Sequence, residues 1–284
     1  MIPVLSFWFT VQLLALAVWP LTWRWLGALP SRGYALAKPL GLLLVCYTLW
    51  LLGSLGFLRN SAGGLLFSWV LVAGIALWLG RAGWRRDAAG RRPLLDWLAA
   101  NWRLVAAVEG LFFVALAGWA FVRSYSPEIT TAGGEKFMEL MFLNGILRSP
   151  QFPPLDPWLS GFAISYYYFG YVMLAALTRL SGLAPAVAFN VGLAAWFALT
   201  ITAAFGVAFD MAAAEGLDAW LEERGAEPCG EGQLLLKRTL PASGAGRQFI
   251  NGSACTLSAL AELGDRLVDL HGPHDHQSLF SRAA

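Results

Sequence analysis

Three acids in the stretch 135–171, Glu135, Glu139 and Asp156, have the type and spacing that could do chemistry. The stretch reads EKFMELMFLNGILRSPQFPPLDPWLSGFAISYYYFGY and is flanked by apolar runs. Glu135 and Glu139 are four apart, so a helix puts both on one face. Pro150, Pro153, Pro154 and Pro157 forbid helix and force an extended, stiff path around Asp156. Carboxylates held this way bind a divalent cation or act as a general base. A solvated loop that merely carries a few acids is the alternative. Tyr166, Tyr167, Tyr168 and Tyr171 follow. They suit an aromatic belt at a membrane interface. Three adjacent tyrosines cannot share one helix face, so at least one is expected to point inward, where it can stack on a sugar or donate a hydrogen bond. Lipid solvates neither charge nor unpaired backbone, so the stretch must lie outside the hydrocarbon or in a cavity walled by protein.

The elements that hold it are apolar. The chain has 284 residues, 57% hydrophobic and 13% charged, against about 25% charged in soluble domains. Six runs, roughly 3–23, 37–58, 62–80, 104–122, 164–180 and 184–208, approach the ~20 residues needed to cross a bilayer. Trp and Tyr cluster near their ends. The expected fold is mainly α, a multi-pass transmembrane bundle of about six helices. Residues 134–148 add an amphipathic helix on the membrane surface. The N-terminus is apolar at once and reads as a first membrane helix rather than a removable signal.

Residues 81–103 carry six arginines against Asp87 and Asp96. That patch belongs in the cytoplasm, together with the 24–38 loop and the turn after Arg179. The N-terminus and the 123–162 loop then lie outside an inner (cytoplasmic) membrane. Glu109 falls inside the fourth run. A carboxylate there must face the bundle interior, a polar partner such as Arg103, or headgroups. Cys46, Cys229 and Cys255 form no CxxC pair, and Cys46 is a small apolar residue in its run.

The composition changes near residue 210. Residues 1–210 hold 14 Lys/Arg, 8 Asp/Glu and 13 of the 14 Trp, while 211–284 hold 6 Lys/Arg, 10 Asp/Glu and all three His. The organisation expected is 1–103, three helices and a basic loop; 104–210, a second membrane part with the outer loop; and 211–284, a soluble α/β piece. In the last, LDAWLEERG is a short helix ended by Gly225. QLLLKRTL and GRQFING are strands across the PASGAG turn. TLSALAELG is a helix with Thr256 as N-cap, and DRLVDLHG is a strand. His271, His274 and His276 have an H-x2-H-x-H spacing that is not a standard zinc pattern.

Two resemblances attach to these motifs. EGLFF (109–113), EKFMELMFLNGILRS (135–149), FPPLDPWLSG (152–161), ISYYYFGY (164–171) and FNVGLAAW (189–196) resemble the "YYY" multi-pass membrane proteins. Those in turn are similar to glycosyltransferases that use lipid-linked sugars. The resemblance implies Glu135 and Asp156 as catalytic candidates and Glu109 as their helix-buried partner. Beside them, the residue types make Glu139, Tyr166, Tyr167 and Tyr168 candidates for binding substrate, and the outer loop a candidate place for a divalent cation. AWLEE (219–223), LLLKR (234–238), GRQFING (246–252) and LVDLHGPHDHQSL (267–279) resemble RecN, whose ATPase head is of the SMC/ABC type. That makes His271, His274, His276 and Gln277 a remnant of its Q-loop, with Pro273 where the family has a Gln. No GxxxxGK[ST] occurs, so the chain has no complete ATP site and ATPase activity is not expected. Six crossings would return the C-terminus to the outer face, where such a head finds neither ATP nor DNA. The expected protein is therefore a glycosyltransferase-like membrane protein joined, by accident, to an inactive RecN-like fragment. Its partners are membrane lipid and a lipid-linked sugar. Two alternatives are a DNA-repair fragment, with nucleic acid as partner by resemblance alone, and a non-catalytic membrane protein.

Overall fold

The computed structural model describes residues 1–86, 90, 92–129, 134–212, 217–229, 234–239 and 246–267. The chain divides into two compact units, Met1–Gly206 and Val207–Ala284.

The first unit is a bundle of α1 (Ile2–Trp25), α2 (Ala37–Ser54), α3 (Ala62–Leu79), α4 (Arg81–Trp84), α5 (Pro93–Ala100), α6 (Trp102–Ser124), α7 (Lys136–Arg148) and α8 (Phe169–Ser181); α9 (Pro185–Ala212) begins in it. Five of these, α1, α2, α3, α6 and α9, are long and apolar enough to cross a membrane. They are apolar on all sides, the pattern of a span. α3, for example, buries Leu65, Ser68, Val72 and Ala76 and leaves Leu66, Phe67, Val70 and Trp78 outward. Lipid tails are as apolar as leucine, so such helices associate through close packing rather than water exclusion. Glycine sits where backbones meet. A Cβ on Gly41 of α2 would lie 2.3 Å from the Leu14 carbonyl oxygen of α1, and one on Gly80 would lie 2.4 Å from that of Pro20.

The run at 164–180 differs from its expected form. Its helix, α8, has 13 residues and is about 20 Å long, short of the ~30 Å hydrocarbon. Both its ends are tied to the same end of the bundle. Trp50 of α2 donates to the Tyr168 hydroxyl at 2.8 Å, just before α8 begins. Arg179, near its end, donates to the Asn60 Oδ1 at 2.6 Å, in the α2–α3 connection. The turn after Arg179 therefore lies with the outer loop and not with the Arg-rich loop.

The second unit contains α10 (Leu217–Glu223), β1 (Leu236–Thr239), β2 (Arg247–Ile250), β3 (Ser253–Cys255) and α11 (Leu257–Leu267). The strands form an antiparallel sheet in the order β1-β2-β3, with Leu236 opposite Ile250 and Gln248 opposite Cys255. Asn251 and Gly252 close β2 onto β3, with φ of 48° and 84°. Positive φ at both central residues is what a two-residue hairpin needs, and Asn-Gly tolerates it. Leu217, Trp220, Leu221, Ile250 and Leu263 make the small core. Thr256 caps α11 by accepting from the Ala259 N–H at 3.1 Å. α11 runs on to Leu267, so the expected strand beginning at Asp265 starts instead as helix. His271, His274, His276 and Gln277 lie outside the described residues, as does most of PASGAG.

Because α8 does not cross, positions on either side of it share one membrane face. In a chain carrying Cys46→Ala, Cys229→Ser and Cys255→Ser, Ser160→Cys and Ala184→Cys are expected to react with an impermeant maleimide from the same side. Labelling from opposite sides would restore the crossing.

Candidate functional site

The polar layer at this end of the bundle rests on α7. Its apolar spacing buries Phe142, Leu143 and Ile146, and Pro150 ends it because a proline bars α-helix at the residue before it. The free carbonyls at its C-terminus would be costly against lipid. Arg179 supplies donors to them, reaching Leu147 O at 3.1 Å and Ile146 O at 3.4 Å. Asn60 adds its Nδ2 to Ile146 O at 2.7 Å and to Ser149 O at 2.9 Å. The loop beyond is pinned in turn. The Asn60 N–H donates to Pro150 O at 2.8 Å, the Leu155 N–H donates to the Ser149 hydroxyl at 3.0 Å, and Phe152 is buried against Gly53.

On this platform the candidate residues fall into two places. Glu139 of α7 accepts from the Tyr171 hydroxyl at 3.3 Å. Together with Tyr167, Phe169, Tyr171, Phe189 and Trp196 it lines a cavity of about 360 Å³. Tyr166 stacks on Phe142 at 5.4 Å between ring centroids and on Tyr167 at 3.9 Å, and it donates to the Tyr167 hydroxyl at 2.5 Å. Glu135 is exposed at the start of α7 and makes no capping bond there. Tyr168 is held through its hydroxyl by Trp50 of α2. The hydrogen bond to Tyr167 is the main reason that the Tyr166 hydroxyl is pushed up to about 12; partial desolvation and the charges of Glu135 and Glu139 act in the same direction.

Asp156 stands apart. Its Oδ1 accepts from the backbone N–H of Trp158 at 2.8 Å and of Leu159 at 3.1 Å, so it braces its own turn. It faces a different cavity, about 610 Å³, with Asn144, Arg148 and Ser149. Among the described residues no three His, Cys, Asp or Glu side chains converge as a metal site would require. The acids expected to share a cation are thus apart: Glu139 and Asp156 line different cavities, and Glu135 lines neither.

Glu109 is elsewhere again, and its partner is Lys38. The Lys38 Nζ lies 2.5 Å from its Oε1, with Lys38 only 2% exposed. The Tyr34 hydroxyl donates to the same oxygen at 2.9 Å, and Gln12 Nε2 donates to Oε2. Burial first, then the Glu109 charge, raises the Tyr34 hydroxyl well above the ordinary tyrosine range. The cluster ties α1, α2 and α6 together and satisfies a carboxylate that lipid would reject. Neither Lys38 nor Gln12 stood out in the sequence as its partner. A polar residue, charged or not, inside an apolar run is the signal that could have found them. For Asn60, in the short connection 55–61, there was no such signal.

These features define an integral membrane protein with five candidate spans and a polar layer held at one end of the bundle. The chain belongs to the family described as Uncharacterized membrane protein (DUF2298), which it matches over residues 44–263. Short similarities to DNA repair protein RecN accompany it. The chain is 46% identical to that of Xylella fastidiosa (strain Temecula1) over 50 residues, 18% of this chain and 9% of the relative. It is 45% identical to that of Streptomyces coelicolor over 58 residues, 20% and 10%. For Vibrio cholerae it is 40% identical over 60 residues, 21% and 10%. The chain thus spans about a tenth of the length of the curated relatives it matches. No solved structure matches it.

Removing one partner of a buried ion pair strands the other charge, at a cost of about 3 kcal/mol. Lys38→Met should lower the thermal midpoint in detergent, and the double change Lys38→Met with Glu109→Met should recover most of it. Equal midpoints for wild type and Lys38→Met would remove the structural role. In alkaline titration followed by tyrosinate absorbance, Tyr166 should stay protonated at pH 10, where a free tyrosine is about half ionised. Tyr167→Phe should bring that ionisation back down; an unchanged curve would show that the hydroxyl pair does not form.

Proposed function

We propose that the outer layer binds the carbohydrate head of a lipid-linked sugar, and that the protein acts in its transfer. The observation that carries this is the 360 Å³ cavity, which one carboxylate, Glu139, lines together with Tyr167, Tyr171 and Trp196. Sugars combine hydroxyl donors with apolar C–H faces, so a carboxylate beside aromatic rings suits them. The apolar residues of α8 and α9 that complete the cavity suit the lipid to which the sugar is joined. Glu135, the half-buried Tyr166 and Tyr168 flank or support this place. Asp156 with Arg148 offers a second polar cavity for the other reactant. In the orientation set by the Arg-rich loop, the site faces outside an inner membrane. Five crossings, an odd number, then end the chain on the cytoplasmic face.

A second reading, a membrane protein that binds such a ligand and catalyses nothing, draws on Asp156. Its Oδ1 is engaged by two backbone N–H groups, which suits a brace better than a base. The likeness to RecN suggests a DNA-repair ancestry for the C-terminal piece. It covers 50 residues and brings no phosphate-binding loop.

The test uses the full chain in nanodiscs with a radiolabelled polyprenyl-phosphate sugar. A charge-assisted hydrogen bond lost on Glu139→Gln should weaken binding by about tenfold, and Tyr167→Ala should weaken it as well. Undiminished binding in both variants would sink the carbohydrate reading. Transfer abolished by Asp156→Asn with binding retained would select the catalytic reading over the second one.

A further inference from the structure

A separate cavity of about 370 Å³ lies where the end of α6 meets the starts of α1 and α9. Val4, Ala120, Ile129, Val187 and Val191 make its walls apolar. It shares no lining residue with the cavity at Glu139. Among the described residues that line it, Arg123 has the one charged side chain. Its Nη2 donates to Asn190 Oδ1 at 2.5 Å. Asn190 is itself fixed, donating to Pro127 O at 3.0 Å and to Ala186 O at 3.2 Å. The guanidinium is therefore aimed and held. Its Nε is buried and has no acceptor among the described residues.

A buried donor without a partner is costly, and more so on a charged group. A guanidinium at the end of a membrane helix lies at headgroup depth, where the anion within reach is phosphate, which Arg binds with two parallel hydrogen bonds. The first turn of α9, at Ala186 and Val187, forms part of the same wall, and a helix N-terminus also favours an anion. The apolar walls give a free phosphate nothing, whereas they fit an acyl chain. We propose that this is a phospholipid site, with the lipid phosphate on Arg123 and one acyl chain in the cavity. Such a lipid would fasten the start of α9 to the end of α6.

The test releases the full chain from phosphatidylglycerol nanodiscs and reads bound lipid by native mass spectrometry. Wild type should retain one phosphatidylglycerol. Arg123→Ala should lower the retained fraction about tenfold, the loss of a charge-assisted contact. Val187→Trp fills the apolar part and leaves the Arg123–Asn190 pair intact; with an unchanged circular dichroism spectrum it should lose the lipid too. Equal retention in all three proteins overturns the proposal. Displacement by millimolar inorganic phosphate with Val187→Trp behaving as wild type also overturns it, in favour of a free-anion site.

Discussion

A bilayer gives a carbonyl no hydrogen bond, and the polar layer at one end of this bundle depends on how one set of carbonyls is satisfied. α7 ends beside apolar helices, with its last carbonyls unpaired within the helix. The Arg179 guanidinium and the Asn60 amide answer them. The same two side chains bond each other. Three segments distant in sequence, the α2–α3 connection, the end of α7 and the end of α8, are joined at this point. The platform for Glu139 and the tyrosines follows from it. So does the placement of α8, whose two ends cannot lie on opposite faces of a membrane while both are tied to one end of the bundle.

The remaining polar chemistry obeys the same solvation rule. In the half of the bundle nearer the α1–α2 connection, Lys38, Tyr34 and Gln12 surround Glu109, so the carboxylate is met from three segments at once. Between these polar places the helices touch through glycine and small apolar contacts, as they must where lipid competes on equal terms with any leucine. The second unit follows the rules of water. Its sheet is short and exposed on β1, and its core is gathered around Trp220 and Leu221. The two units thus differ in what holds them together, although the membrane-family match runs from the first into the second; the likeness to a DNA-repair protein covers about a fifth of the chain.

Much of this follows from residue order alone. Apolar runs of about the length that crosses a bilayer fix α1, α3, α6 and α9, because no soluble environment would hold them. The 3.6-residue period of Phe142, Leu143 and Ile146, with Pro150 behind it, fixes α7 and its end. Thr256 and Gly225 mark their helix termini by capping chemistry that acts within a few residues. Polar spacing likewise singled out the outer loop and Glu109. Only the tertiary structure decided which polar groups meet. It gave Glu109 to Lys38, turned Asp156 onto its own backbone and left Glu139 with Tyr167 and Tyr171. It also showed that the 164–180 run is too short and too tethered to cross. Local order sets a helix through contacts three or four residues apart, whereas a buried charge finds its partner across 71 residues, and Arg179 reaches the carbonyls it caps across 32 and 33 residues and Asn60 across 119. Separations of that kind leave no periodic trace in the chain.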